Sequence, residues 1–159
     1  MPKPPPEGTV LAVPLGEDVF GFCRTLRHPL VEFYDTSGRL PGDLDVEEVV
    51  GSEVAFRIWA MDSATGGRRW KKVGHVPLSD EEQSRRHVFF RQDALDKKLS
   101  TYWTDPQTGE PHEEPADADD VRGLEAAAVW SAEHVEDRLR DHFAGVENKW
   151  ERSLRLKTS

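Results

Sequence analysis

Residues Val54 to Pro77, VAFRIWAMDSATGGRRWKKVGHVP, decide how the rest of the chain is read. Val54, Phe56, Ile58 and Ala60 alternate with Ala55, Arg57, Trp59 and Met61, the period of two that sends successive side chains to opposite faces of a pleated strand. Trp59 and Met61 make the second face partly apolar too, so the pattern predicts a strand covered on both sides. Gly66 and Gly67 offer the positive φ of a tight reversal, after which Trp70, Lys72, His75 and Val76 resume an extended pattern. The expectation is a β-hairpin with the glycines at its tip and Trp70 at the core edge. Gly74 is placed for a bulge or a close backbone approach.

Upstream, the proline-rich Met1 to Glu7 predicts an extended, mobile arm. Gly8 opens a strand, TVLAVPL, expected to stop at Pro14, and Val19 to Leu26 returns antiparallel after the polar turn Gly16, Glu17, Asp18. His28 and Pro29 break that strand, and Leu30 to Tyr34 forms a third. Thr36 to Asp43 reads as a loop and Leu44 to Val50 as a short turn or helix.

Downstream, Ser79 and Glu82 have the spacing of a capping box and predict a helix of one or two turns. Val88 to Phe90 and Leu99 to Trp103 read as strands, separated by polar chain, and Asp105 to Gly109 (DPQTG) as a turn. EPHEEPADADD, residues 110–120, has no apolar period and predicts a solvated loop, whereas Leu124 to Trp130 leans to strand. The clearest helix starts at Ser131, carries Ala132, Val135, Leu139 and Phe143 on one stripe, and ends at Gly145. That stripe leaves Glu136, Asp137, Arg138, Arg140 and Asp141 to solvent. The pattern predicts an α+β fold: an antiparallel, strongly bent sheet or half-open barrel of about six strands, with a C-terminal helix packed on it. Residues 1–7 are the arm, 8–145 a single domain, and 146–159 a basic, frayed tail.

A chain of 159 residues buries roughly two-thirds of the surface it exposes when unfolded, enough for one real core. Five Trp and seven Phe among 32% charged residues place it outside the disordered class. No apolar run approaches the ~18 residues of a membrane span and no leader peptide is recognisable, so the expectation is a cytoplasmic protein with no membrane partner. Cys23 is the single cysteine, which rules out an internal disulfide and reads as a small buried apolar residue. Residues 105–145 hold 12 Asp and Glu against 3 Arg, and therefore the whole net charge of −9. An acidic surface repels nucleic-acid backbones and steers cationic partners, so the expected partner is a protein with a basic surface.

No catalytic constellation emerges. His28, His75, His87, His112, His134 and His142 show no metal-ligand spacing, and GxSxG, GxGxxG and P-loop patterns are missing from the sequence. Paired carboxylates such as Glu113 with Glu114, or Asp119 with Asp120, lack the apolar neighbours that would raise a pKa for acid–base work. Arg68, Arg69, Lys71 and Lys72 around Trp70 resemble a small phosphate or nucleic-acid patch, but four positive charges at a hairpin end read rather as an exposed rim. No catalytic, cofactor-binding or metal-binding residue is assigned.

Taken in order, the segments GTVLAVPLGEDVFGFCR, LVEFYD, VAFRIWAMD, RRWKKVGHVPL, FFRQD, KLSTYW and GLEAAAVWSAEHVEDRLRDHFAG resemble the Imm26 family of bacterial immunity proteins, which accompany polymorphic toxins. The resemblance spans Gly8 to Gly145 and implies a non-enzymatic protein that binds and neutralises a cognate toxin, without transferring any catalytic residue. Combined with the charge distribution, it points to Glu113, Glu114, Asp117, Asp119, Asp120, Asp137 and Asp141 as toxin-facing, with Trp70 and Trp103 as aromatic contacts. Two alternatives stand beside it: a ligand-binding or enzymatic module with a pocket inside the bent sheet, lined by Trp59, Tyr102 and Trp103, and a general protein-interaction adaptor.

Overall fold

In the computed structural model, which describes residues 2–40 and 44–157, β1 (Thr9–Gly16) and β2 (Val19–Thr25) form an antiparallel hairpin. Its turn places both Glu17 (φ 47°) and Asp18 (φ 63°) in the left-handed region, the turn geometry that matches strand twist. Then follow β3 (Leu30–Gly38), α1 (Val46–Val50), β4 (Val54–Ala60), α2 (Asp62–Thr65), β5 (Lys71–His75) and α3 (Asp80–Ser84). The chain continues through β6 (Val88–Gln92), β7 (Leu99–Thr104), β8 (Pro111–Ala116), β9 (Glu125–Ala126) and β10 (Val129–Trp130). It ends with α4 (Ala132–Ala144) and α5 (Lys149–Ser153). A six-stranded sheet has the order β10-β4-β3-β2-β1-β5 and a four-stranded sheet the order β8-β7-β6-β9. The fold is α+β, with two sheets that do not close into a barrel and a C-terminal helix packed on β1.

The alternation within strands decides where the core sits. Leu11, Val13, Cys23, Phe33, Phe56 and Ile58 point to one face and are covered by Val135 and Leu139 of α4. Ala12, Phe22 and Tyr34 point to the other, where Val49 of α1 closes over them. A third cluster, Leu26, Leu30 and Phe89 with Trp59 and Leu78, lies where the two sheets meet. The capping box at Ser79 and Glu82, the Ser131 cap of α4 and the left-handed Gly145 that ends it are all present.

The expected hairpin of Val54 to Pro77 is not formed. β4 and β5 are separated by three strands of the large sheet, β4 lying between β10 and β3 and β5 at the edge beside β1. Instead of reversing tightly, the chain makes the single turn of α2 and carries Trp70 into the core, edge-on to Phe33 at 5.9 Å. Gly66 has φ −101° and supplies no left-handed turn; it is required because a Cβ there would run into the Lys3 carbonyl. Gly74 matches its expected role: it sits beside a register shift in the β1–β5 pairing, and a Cβ would lie 2.8 Å from Val46 Cγ1.

Other differences have local causes. β1 runs through Pro14, because β5 borders β1 only as far as Ala12 and the missing N–H costs no ladder bond on that open side. β3 extends to Gly38, so only the end of the expected loop remains, and Pro41 to Asp43 fall outside the described residues. The arm is extended but held: the Pro6 carbonyl accepts bonds from the Thr9 and Thr25 hydroxyls at 2.6 and 2.9 Å. The tail folds as α5, where Trp150 stacks on His134 at 3.7 Å and donates Nε1–H to Asp137. Residues 110–120 are not a loop throughout, since β8 pairs along its whole length with β7. Leu124 to Trp130 resolves into β9 and β10, which pair parallel with β6 and β4 and so join the two sheets.

Candidate functional site

Register places the side chains of the small sheet. Opposite one another on β7 and β8 are Thr101 and Glu114, and Trp103 and His112, all on one face; Tyr102 and Glu113 lie on the other. On the first face Trp103 is sandwiched, with Arg86 3.5 Å above its ring and His112 stacked 4.2 Å from it. On the second face Glu113 accepts from the Ser100 hydroxyl at 2.5 Å and faces Arg91 at 3.6 Å, while Arg91 lies over Tyr102. Trp103 and Glu114 therefore share a surface, and Glu113 does not belong to it.

The remaining acids fall into two groups. Asp117 and Asp120 bridge the turn after β8 by accepting each other's backbone N–H at 2.9 and 3.0 Å, and Asp119 pairs with Arg122 at 2.6 Å. All three are exposed, as is Glu114, which has no ion pair among the described residues. On α4, Asp137 accepts from Trp150 Nε1 and Arg140, and Asp141 accepts from Asn148 Nδ2 at 2.8 Å. These two fasten α5 to α4. Bonds from Trp150 and Arg140 hold the Asp137 carboxyl below its usual range. Two of the five solvent-face expectations on this helix fail: Glu136 is 4% exposed and accepts from Arg69 and Trp70 Nε1, and Arg138 forms a bidentate pair with Glu125.

Trp70 is not a surface aromatic. At 2% exposed, it is packed within the core and cannot meet a partner directly, and Arg69 is committed to Glu136, which divides the basic cluster. Cys23 is buried against the sheet and its thiol is pushed far up by desolvation, the inert state expected of it.

A cleft of about 560 Å³ opens where the sheets meet. Leu26, Leu30, Trp59, Leu78 and Phe89 form its apolar wall; α3 and the residues after it bring Glu82, Arg85 and His87. Of the aromatics expected to line a pocket, Trp59 does, but Tyr102 sits edge-on behind it at 5.6 Å and Trp103 faces away on β7. Behind the cleft runs a buried ladder that crosses three strands, Arg24 opposite Glu32 opposite Arg57. Glu32 accepts from Arg57 Nε at 2.6 Å and the Tyr34 hydroxyl at 2.8 Å, while Arg24 pairs closely with Glu82 and donates to the Val76 carbonyl at 3.3 Å. Among the described residues Arg24 Nε has no hydrogen-bond partner. The sequence carried a signal for this ladder: FCRTL, LVEFY and AFRIW each hold one charge in an apolar strand, with signs that alternate.

Among the described residues no three His, Cys, Asp or Glu side chains converge as metal ligands, and no helix is long and apolar enough to cross a membrane. A family model described as Immunity protein 26 matches residues 6–101. No curated protein matches the chain, and no solved structure does. The match ends within β7, short of the Gly145 to which the resemblance extends, so all seven toxin-facing candidates lie beyond it.

Proposed function

This chain belongs to the Immunity protein 26 family, and from that premise we propose that it binds a toxin protein and neutralises it through the acidic surface formed by β8 and the turn that follows. The observation that carries the reading is the exposed outer strand itself: among the described residues β8 borders only β7, and it presents Glu114 on the Trp103 face, Glu113 on the opposite face, and Asp117, Asp119 and Asp120 in the turn that follows. Pro111 and Pro115 on this strand interrupt its donors and discourage simple addition of another strand, so side chains and not a backbone ladder make the contact. Trp103, stiffened between Arg86 and His112, supplies an aromatic contact on the same sheet. Asp137 and Asp141 add to the acidic field from α4 while their bonds hold α5. Opposite charge on the toxin then governs how fast the two proteins meet.

The test is binding kinetics between this chain and a toxin domain from which its co-expression rescues growth. Replacing the five acids by Asn and Gln together is expected to slow association about 10-fold at low salt and to flatten its salt dependence, with little change in dissociation. Unchanged association and unchanged salt slope would reduce these acids to a solubilising surface.

A further inference from the structure

The cleft between the sheets is not accounted for by docking on β8. Its volume of about 560 Å³ falls within the range of roughly 300–1,000 Å³ typical of small-molecule sites. One wall is aromatic: Trp59 lies against Phe89 with ring centroids 4.7 Å apart, beside Leu26 and Leu30. Such a wall takes a flat ring by stacking.

The charges around the cleft are mostly committed. Arg27 donates to the Pro106 carbonyl at 2.8 Å, His28 pairs with Asp62 at 2.6 Å, Arg85 faces Glu81 at 3.7 Å, and Glu82 is divided between Arg24 and the Ser79 N–H. The polar groups left uncommitted inside are the neutral ones. The ring nitrogens of His87, the Trp59 indole N–H and the Thr104 hydroxyl make no hydrogen bond to other described residues, and none is an occluded, unsatisfied atom, so each is open to a guest. Burial first, then Arg57 and Arg85, depress the His87 pKa to about 4, which leaves its imidazole with one donor and one acceptor at neutral pH. At the cleft the exposed Glu7 and Asp80 stand without ion partners among the described residues and disfavour an anion.

We propose that this cleft binds an uncharged, planar heteroaromatic ring that carries both a hydrogen-bond donor and an acceptor, of the size of a nucleobase or nucleoside. The ring stacks on Trp59, and its polar edge meets His87 and Thr104. This second activity is independent of toxin binding.

The experiment titrates the full chain with adenosine, guanosine, cytidine and uridine, with indole and adenosine 5′-monophosphate as comparators, and follows the Trp59 indole and His87 ring resonances by NMR. At least one nucleoside is expected to give saturable shifts confined to the cleft, tighter than indole and no weaker than the monophosphate. His87→Leu and, separately, Thr104→Val are each expected to weaken that nucleoside about 10-fold, the loss of one hydrogen bond, with unfolding midpoints that establish both variants as folded. The proposal is overturned by any of three results. These are no saturable shift with all four nucleosides, indole binding as tightly as the best of them, or the monophosphate binding 10-fold tighter, which would make Arg27 and Arg85 an anion site.

Discussion

Glu136 fastens the C-terminal helix to the rest of the protein. Its carboxylate receives Arg69 Nε and Nη2, both at 2.7 Å, and Trp70 Nε1 at 2.9 Å, in a setting only 4% exposed. Burial pushes this carboxyl up, but the Arg69 and Trp70 bonds outweigh burial and hold it below its ordinary value of 4.5. A folded-state pKa lowered in this way contributes stability that is complete above the unfolded value and lost as pH falls through the folded one. Glu136→Gln is therefore expected to cost about 2 kcal/mol at neutral pH, because a neutral amide cannot accept all three donors. The deficit should begin to shrink as pH falls below the unfolded value of 4.5, where the unfolded chain takes up the proton first, and vanish as pH falls through the lower folded-state value. Urea unfolding of both proteins at pH 7 and about pH 3.5 checks this, and an equal deficit at both pH values would remove the ionic account. The helical period placed Glu136 in solvent because it flanks the apolar stripe by one position. Its partners are 66 and 67 residues away, and no local pattern encodes that distance.

Helix α3 shows the same division between local and distant information within one element. The capping box was readable because Ser79 and Glu82 are three residues apart, and Glu82 Oε1 accepts the Ser79 N–H at 3.0 Å while Ser79 Oγ accepts the Glu82 N–H at 3.1 Å. The second duty of Glu82 was not readable: its other oxygen neutralises Arg24, 58 residues away and 1% exposed. Ser79→Ala is expected to cost about 1 kcal/mol, the usual loss of a cap. Glu82→Ala should cost about 3 kcal/mol, because it also leaves Arg24 with Glu32 alone, 3.6 Å away. Denaturant unfolding of the two single variants and the double variant separates the contributions, and equal single losses would mean that Arg24 finds compensation elsewhere. Strand β8 marks the opposite limit of local reading. Its residues PHEEPA have no alternation because both faces are largely wet, so only the ladder with β7 identifies it as a strand. The β4–β5 segment failed for a related reason: each strand was legible by period, but which neighbour each strand chooses depends on Trp70 entering the core.

At the scale of the molecule, the family match and the folding unit have different boundaries. Residues 6–101 supply five of the six strands of the large sheet, but the core they form is not closed by them. Trp130, Ala132, Val135 and Leu139, all 8% exposed or less, come from beyond the match and cover the face that carries Phe33, Phe56 and Ile58. α4 also clamps both sheets. Glu136 reaches Arg69 ahead of β5, and Arg138 holds Glu125 of β9 while its guanidinium lies 3.9 Å from the Phe56 ring centre. Removing these groups exposes several large apolar side chains at once, and each costs roughly 1.5–3 kcal/mol when returned to water. For Phe33, Phe56 and Ile58 alone that is about 5–9 kcal/mol, comparable with the ~5–15 kcal/mol by which a domain is stable. A fragment of residues 1–101 is therefore expected to lose cooperative thermal unfolding and near-ultraviolet circular dichroism, and to bind a hydrophobic dye. A fragment of residues 1–146 should still unfold cooperatively, because it keeps α4 and gives up the peripheral contacts of Asn148, Trp150 and Leu154 and the Lys157 bonds to Gln92. Cooperative unfolding of the shorter fragment would show that the matched span closes its own core. The longer chain, with its acidic strand and helix, would then be an addition to a finished fold and not its completion.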